Sequence, residues 1–175
     1  MKIKELLESP APNEAITWPE LMDNVAVALS KPDEIIDLGN GYSKFIRASK
    51  ITYWKSDRDG KILLGGIIKT TKKYAVIEMV GKNKDIARRE PFVIDLYLVM
   101  AHDLKKNNQV LISDSLISDG AFKTWTRLFQ NNYRISIMNI QNPNGSLIPI
   151  KTEKEMIDHY RKGIIFQNLR FVLEI

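Results

Sequence analysis

The chain has 175 residues, of which 44% are hydrophobic and 27% are charged, a composition typical of a globular domain rather than a disordered segment. It contains no cysteine, which excludes disulfides, thiolate metal sites and a cysteine nucleophile, and its two histidines argue against a histidine-rich metal site. No apolar run approaches the roughly 20 residues of a membrane span and no signal-peptide core is found, so we expect one cytoplasmic domain without a membrane partner.

The net charge of +5 is unevenly distributed along the chain. Residues 1–43 hold 3 basic and 8 acidic side chains, residues 44–106 hold 15 and 7, and residues 107–175 hold 8 and 6. Such a central basic block indicates either an anionic ligand, including a phosphate-bearing cofactor or nucleic acid, or lysines that solubilise strand edges and hairpin tips. Because few aromatic residues are interleaved with the block, we expect weak, non-specific nucleic-acid binding at most.

The first half of the chain predicts helices followed by antiparallel strands. A short helix is expected over 2–8, and Thr17 with Glu20 forms a capping box for a second helix that ends near Lys31. Strands are predicted over 43–57 with a break near Ser49, over 61–70, and over 74–80. The segment SDRDG between the first two is a hairpin turn, Gly65-Gly66 marks a bulge or a close backbone approach, and the apolar third strand is expected to be central.

The second half predicts strands that alternate with helices. A polar, basic loop (81–90) leads to the longest helix, 91–106, with Pro91 at its first helical position. The following elements are a strand (109–113), a helix capped by Ser118 (119–130), a strand (134–140), a turn (142–145) with a short return strand, a helix (153–162) and a final strand (164–175). We expect 61–70 to pair with 74–80, and 91–106 to cross to a strand parallel to 74–80.

The single domain therefore divides into N-terminal helices (1–31), antiparallel strands (43–80), a β-α-β half (91–140), and a hairpin with a short helix and terminal strand (141–175). This order resembles the GNAT fold, a mixed α/β fold of N-acetyltransferases that bind acetyl coenzyme A. Three stretches within residues 17–140 carry the resemblance, namely YWKSDRDGKILLGG, YAVIEMV and LISDSLISDGAFKTWTRLFQNNY. The stretch that begins PFVIDLYLVM is similar to GNAT-like proteins of tailed bacteriophages, which implies host cytoplasm or virion as the location.

The resemblance places a cofactor loop after the central strand, at Val80 and Gly81. Family members usually hold the pyrophosphate of acetyl-CoA on backbone N–H groups of a glycine-rich turn at a helix N-terminus. Here KNKDIARREPF contains no glycine. Arg88 and Arg89 are therefore either side-chain substitutes for that turn or part of a solvated basic loop.

The same resemblance suggests groups for proton transfer. A carboxylate on the central strand is the usual base, which indicates Glu78. This side chain is either a base with a raised pKa, or it faces solvent or pairs with a lysine. The usual tyrosine acid is replaced by Trp125, which we expect in the core. Tyr133, just past the helix, is either a substitute acid or a packing residue, since the family normally places an apolar aromatic there. Asp114 follows a strand, at the end where open α/β sheets bind ligands, with helix capping as its alternative.

Three functions remain open at this point. The first is N-acyl transfer from acetyl-CoA to an amine, with an unusual phosphate site. The second is a catalytically silent GNAT-like protein without a cofactor, an interaction or structural component whose partner is a phage or host protein. The third is weak nucleic-acid binding through the basic block.

Overall fold

The computed structural model describes residues 14–86, 90–114, 117–162 and 168–175, with side chains from Trp18 onward. Its helices are α1 (Glu14–Leu29), α2 (Val93–Lys105), α3 (Asp119–Gln130) and α4 (Glu153–Lys162). Its strands are β1 (Ile36–Gly39), β2 (Tyr42–Arg47), β3 (Lys50–Ser56), β4 (Ile62–Thr70), β5 (Tyr74–Lys82), β6 (Val110–Ile112), β7 (Arg134–Asn139), β8 (Ile148–Pro149) and β9 (Leu169–Glu174).

These nine strands form one mixed sheet in the order β1-β2-β3-β4-β5-β6-β9-β7-β8. Only β5 and β6 pair in parallel, joined by the crossover through α2, and the other neighbouring strands are antiparallel. The expected pairing of β4 with β5 and the parallel addition of β6 are confirmed, as is the central position of β5. The fold is thus α+β with helices on both faces of a mixed sheet.

The α2 face of the sheet carries the larger core. Helices α2, α3 and α4 pack there against alternate residues of the strands, because successive side chains of a strand point to opposite faces. Trp125 is 1% exposed and meets the Tyr97 ring edge-on, with 5.7 Å between centroids, so its expected core position is confirmed. Burial of each large side chain of this kind contributes on the order of 2 kcal/mol.

The α1 face is covered by α1, whose Leu21, Val25 and Ala28 contact β-strand residues such as Trp54. The glycine pair of β4 lets helices approach both faces. A Cβ on Gly65 would lie 2.6 Å from the Tyr53 carbonyl oxygen and 3.2 Å from the Leu21 side chain, whereas one on Gly66 would lie 2.7 Å from the Met100 side chain. The close backbone approach expected at this pair is confirmed.

A buried ion pair attaches α2 to the sheet. The Lys44 Nζ of β2 donates to both carboxylate oxygens of Asp103 on α2, at 2.8 and 2.6 Å. The hydroxyl of Tyr53 on β3 donates to the same carboxylate at 2.8 Å. All three residues are buried, so the carboxylate exchanges water for three short hydrogen bonds, which is the condition under which a buried charge is tolerated.

Several predicted boundaries in the first half are wrong. Thr17 is not a cap, because α1 already runs from Glu14, and Pro19 lies inside the helix since its fixed φ is itself helical. Residues 36–39 form a strand, β1, that was not predicted. The predicted strand 43–57 is a hairpin of β2 and β3, and its expected break near Ser49 is confirmed. The helix predicted over 2–8 lies outside the described residues.

The second half agrees more closely with the prediction. Pro91 lies two residues before the first helical residue of α2 rather than at it, because the extended Phe92 is the N-cap. The Ser118 cap is confirmed by its Oγ, which accepts the Ala121 N–H at 3.2 Å. The return strand is the two-residue edge strand β8, and β9 begins at Leu169, with residues 163–167 outside the described residues.

Candidate functional site

The two central strands separate at their carboxyl ends. β5 and β6 pair only from Tyr74↔Val110 to Val76↔Ile112, after which β5 continues to Lys82. Beyond β6 the chain continues its pairing with β9, and Ser113 N–H donates to the Phe171 carbonyl at 2.9 Å. Residues 77–82 of β5 therefore have no paired strand on their β6 side in the described ranges. We call the region between residues 77–82 and residues 113–114 the central cleft. Carboxyl ends of parallel strands are where open α/β sheets bind ligands.

A β-bulge lies on the β5 side of the central cleft. Ile67 pairs with Met79 and Ile68 pairs with Ile77, so Glu78 is the extra residue without a partner on β4. A bulge bends its strand and redirects side chains, and bulges are common next to functional sites. The exposed carboxylate of Glu78 is ion-paired with Lys50 Nζ at 2.7 Å. The lysine pairing that the sequence left open is therefore present, with the Glu78 side chain 30% exposed.

Val80 and Gly81 lie near the end of the bulged strand β5, which runs to Lys82. The Val80 side chain packs against the core beneath α2. Gly81 faces α1, where a Cβ would lie 3.1 Å from the Trp18 ring and 3.4 Å from the Leu21 side chain. The close packing of α1 against this position therefore favours a residue without a side chain. Arg88 and Arg89 lie outside the described residues.

A polar row crosses the sheet at the N-terminal end of α2. Tyr42 is opposite Lys55, Lys55 is opposite Leu64, and Leu64 is opposite Lys82, which puts all four side chains on the α2 face. Lys55 Nζ lies 4.6 Å from the centroid of the Tyr42 ring, and Lys82 Nζ lies 5.2 Å from that of Phe92. We call Tyr42, Lys55 and Lys82 the polar row. Two ammonium groups here favour an anion.

The hydroxyl of Tyr42 is the feature of this row that needs a partner. Tyr42 is 5% exposed, and its hydroxyl is the one buried side-chain polar atom in the described residues without a hydrogen bond. Burial raises the pKa of Tyr42 to about 12, and the Asp95 carboxylate adds to the increase. A buried phenol that remains protonated and has no acceptor is available to donate to a ligand.

The anion-binding capacity of the N-terminal end of α2 is partly used by the carboxylate of Asp95, a residue of its first turn. Asp95 Oδ2 accepts the Phe92 N–H at 2.9 Å, so one of the free helical donors is satisfied within the chain. Burial lowers the pKa of Lys82 while Asp95 opposes that effect. Any anion bound here must therefore be held mainly by side chains.

On the other side of the cleft, Asp114 interacts with β9. Burial lowers the pKa of the Arg170 guanidinium, while the Asp114 carboxylate and Tyr74 oppose the lowering. Asp114 does not cap α3, since Ser118 does. Tyr133 precedes β7 at the opposite end of the sheet, half-buried against the core, and is not brought together with Asp114 or Glu78.

The sequence did not predict the polar row or the Lys44–Asp103 pair. The polar row depends on cross-strand register over three strand pairs, which no local pattern encodes. The charged Lys44 and Asp103 in otherwise apolar stretches were the available signal for the buried pair.

No family model, curated protein or solved structure matches this chain. None of the helices in the described ranges has the length and apolar character needed to cross a membrane. In the same ranges, no three histidine or carboxylate side chains are grouped to hold a metal ion.

Proposed function

We propose that this protein is a GNAT-like protein that binds acyl-coenzyme A in the central cleft and transfers the acyl group to an amine. The observation that carries the proposal is the separation of β5 from β6, with a bulge on β5, in a sheet ordered β2-β3-β4-β5-β6-β9-β7. The sequence resemblance implies that acetyl-CoA binds beside this central strand, where it places the cofactor loop at Val80 and Gly81. The chain-wide order supports the proposal more strongly than any single residue does.

The polar row fits the phosphates of such a cofactor. Lys55 and Lys82 supply charge, and the Tyr42 hydroxyl supplies a donor that has no partner among the described residues. Arg88 and Arg89 add further positive charge in the connection to α2. These side chains would replace the glycine-rich turn, because charge-assisted hydrogen bonds hold phosphate without backbone donors.

Acyl-CoA supplies a thioester to the cleft. The amine nitrogen forms a bond to the acyl carbon as the carbon–sulfur bond breaks, the amine loses one proton, and the thiolate takes one from water. Glu78 is the carboxylate on the bulge, and we assign it the proton from the amine, which requires that it exchange its contact with Lys50. Asp114, which interacts electrostatically with Arg170, follows β6 on the other side of the cleft.

Calorimetric titration with acetyl-CoA and with free CoA tests the proposal. We expect Lys55→Gln combined with Lys82→Gln to weaken binding at least about tenfold, since each charged hydrogen bond contributes roughly 1.5–3 kcal/mol. The matched control is Arg47→Gln combined with Lys69→Gln, which removes two exposed charges from the opposite end of the sheet. Absence of CoA binding by the wild-type protein, or equal losses in both double variants, would contradict the proposal.

A catalytically silent protein of the same fold is the second candidate. It is favoured by Trp125, which is fully packed in the core where the family places its acid, and by Asp95, whose carboxylate repels an anion at the start of α2. Failure of the wild-type protein to bind acetyl-CoA or free CoA in the calorimetric titration would favour this candidate.

A further inference from the structure

Three basic side chains lie side by side on the α1 face, at the end of the sheet away from the polar row. Arg47 is opposite Lys50 across β2 and β3, and Lys50 is opposite Lys69 across β3 and β4. All three residues are exposed. We call them the basic row. Neighbouring strands lie about 4.8 Å apart, so the row is on the order of 10 Å long.

Like charges that face each other across strands are destabilising. The charge of Lys50 is compensated by Glu78, whose Oε2 lies 2.7 Å from the Lys50 Nζ. Within the described part of the chain, Arg47 and Lys69 have neither an ion pair nor a side-chain hydrogen bond. The sheet therefore holds an excess of positive charge in a fixed register, and an external anion would relieve the repulsion.

The surroundings of the basic row add charge and shape. The exposed Lys72 and Lys73 lie in the adjacent β4–β5 turn. The exposed Lys105 and Lys106 lie at the C-terminal end of α2. Gln109, which follows them, donates its side-chain amide to the Thr71 carbonyl of the β4–β5 turn. A groove of about 270 Å³ borders the row. Its lining includes the hydrogen-bonding side chains Asn24, Ser49 and Thr52 beside Arg47 and Lys50.

We propose that the basic row binds the phosphate backbone of duplex nucleic acid without reading its sequence. A line of cations matches a polymer that carries one charge per about 3.4 Å along each strand, whereas a single small anion would need converging side chains. Arginine, lysine, serine, threonine and asparagine are the types that contact phosphate and sugar. The aromatic residues of β2 and β3 on the α1 face, Phe45 and Trp54, are 4% and 2% exposed, so they offer bases no stacking surface.

Fluorescence anisotropy with a labelled, mixed-sequence DNA duplex tests this site. Three phosphate contacts predict that affinity falls about 40-fold between 50 and 200 mM salt. Arg47→Gln combined with Lys69→Gln should leave one contact, reduce that salt effect to about 3-fold, and weaken binding at low salt. Lys55→Gln combined with Lys82→Gln is the control with the same loss of charge at the other end, and it should bind DNA like the wild type.

Folding of the row variant can be checked independently, because relief of like-charge repulsion should leave its thermal midpoint unchanged or higher. The proposal is overturned if the duplex does not bind at 50 mM salt, or if both double variants lose affinity equally. It is also overturned if anionic phosphatidylserine vesicles capture the protein through the basic row while the duplex does not.

Discussion

At the scale of single residues, the clearest conflict between pattern and environment is Lys44. Strand alternation places it on the α2 face with Tyr42, where a charge needs a partner, and Asp103 supplies one from a helix 59 positions away. The sequence shows that each residue interrupts an apolar stretch, but it does not show that the two interruptions meet. That information lies in the packing of α2 across β2 and β3.

We expect Asp103→Asn to destabilise the protein strongly. The side chains of Lys44 and Asp103 are 10% and 7% exposed, so the variant leaves an ammonium buried without its counter-charge, at a cost of about 3–5 kcal/mol. Denaturant unfolding measures the change. Glu34→Gln, which removes the carboxylate of the exposed Lys31–Glu34 pair, is the matched control and should cost less than about 1 kcal/mol. Equal effects of the two variants would show that the buried pair does not secure α2.

At the scale of secondary-structure elements, strand β4 determines how closely the two helical layers approach. Gly65 faces α1 and Gly66 faces α2, and each is in contact with atoms that a Cβ would meet below 3.0 Å. A glycine pair in the middle of a strand was visible in the sequence. The identity of the elements on either side was not.

Gly65→Ala should destabilise the protein, because its Cβ would meet the Tyr53 carbonyl oxygen, a backbone atom that cannot move without disturbing β3. We expect a loss of about 1–3 kcal/mol in the free energy of unfolding. Gly120→Ala provides the comparison, since its nearest neighbour is 3.9 Å away and alanine is the better helix former, so this variant should gain stability. A neutral Gly65→Ala would contradict this account, because it would mean that the Tyr53 carbonyl of β3 moves aside without cost.

Local sequence patterns predict some of the secondary-structure elements and miss others. The positions of β5, α2 and α3 followed from apolar periodicity and turn residues, which act within a few positions. β1 was missed because its four residues, IDLG, are largely exposed and lack an apolar alternation. The start of α1 was misplaced because a capping pattern at Thr17 lies within a helix that continues through Pro19.

At the scale of the whole molecule, the fold separates two cationic regions that the sequence presents as one basic block. The polar row lies at the end where β5 and β6 part, and the basic row lies at the end where the β2–β3 and β4–β5 turns meet. Thr70 N–H donates to the Ser49 carbonyl at 2.7 Å, which joins those two turns. Strand register, rather than sequence proximity, determines which charges act together.

Backbone hydrogen exchange with and without acetyl-CoA tests the central claim most directly, because the N–H groups of β5 that face β6 beyond Val76 have no strand partner in the described structure. We predict that bound acetyl-CoA slows exchange at residues 77–82 and at the start of α2, while residues 44–50 and 66–70 exchange as before. Unchanged exchange at 77–82 under saturating acetyl-CoA, or slowing confined to the opposite end of the sheet, would contradict the account.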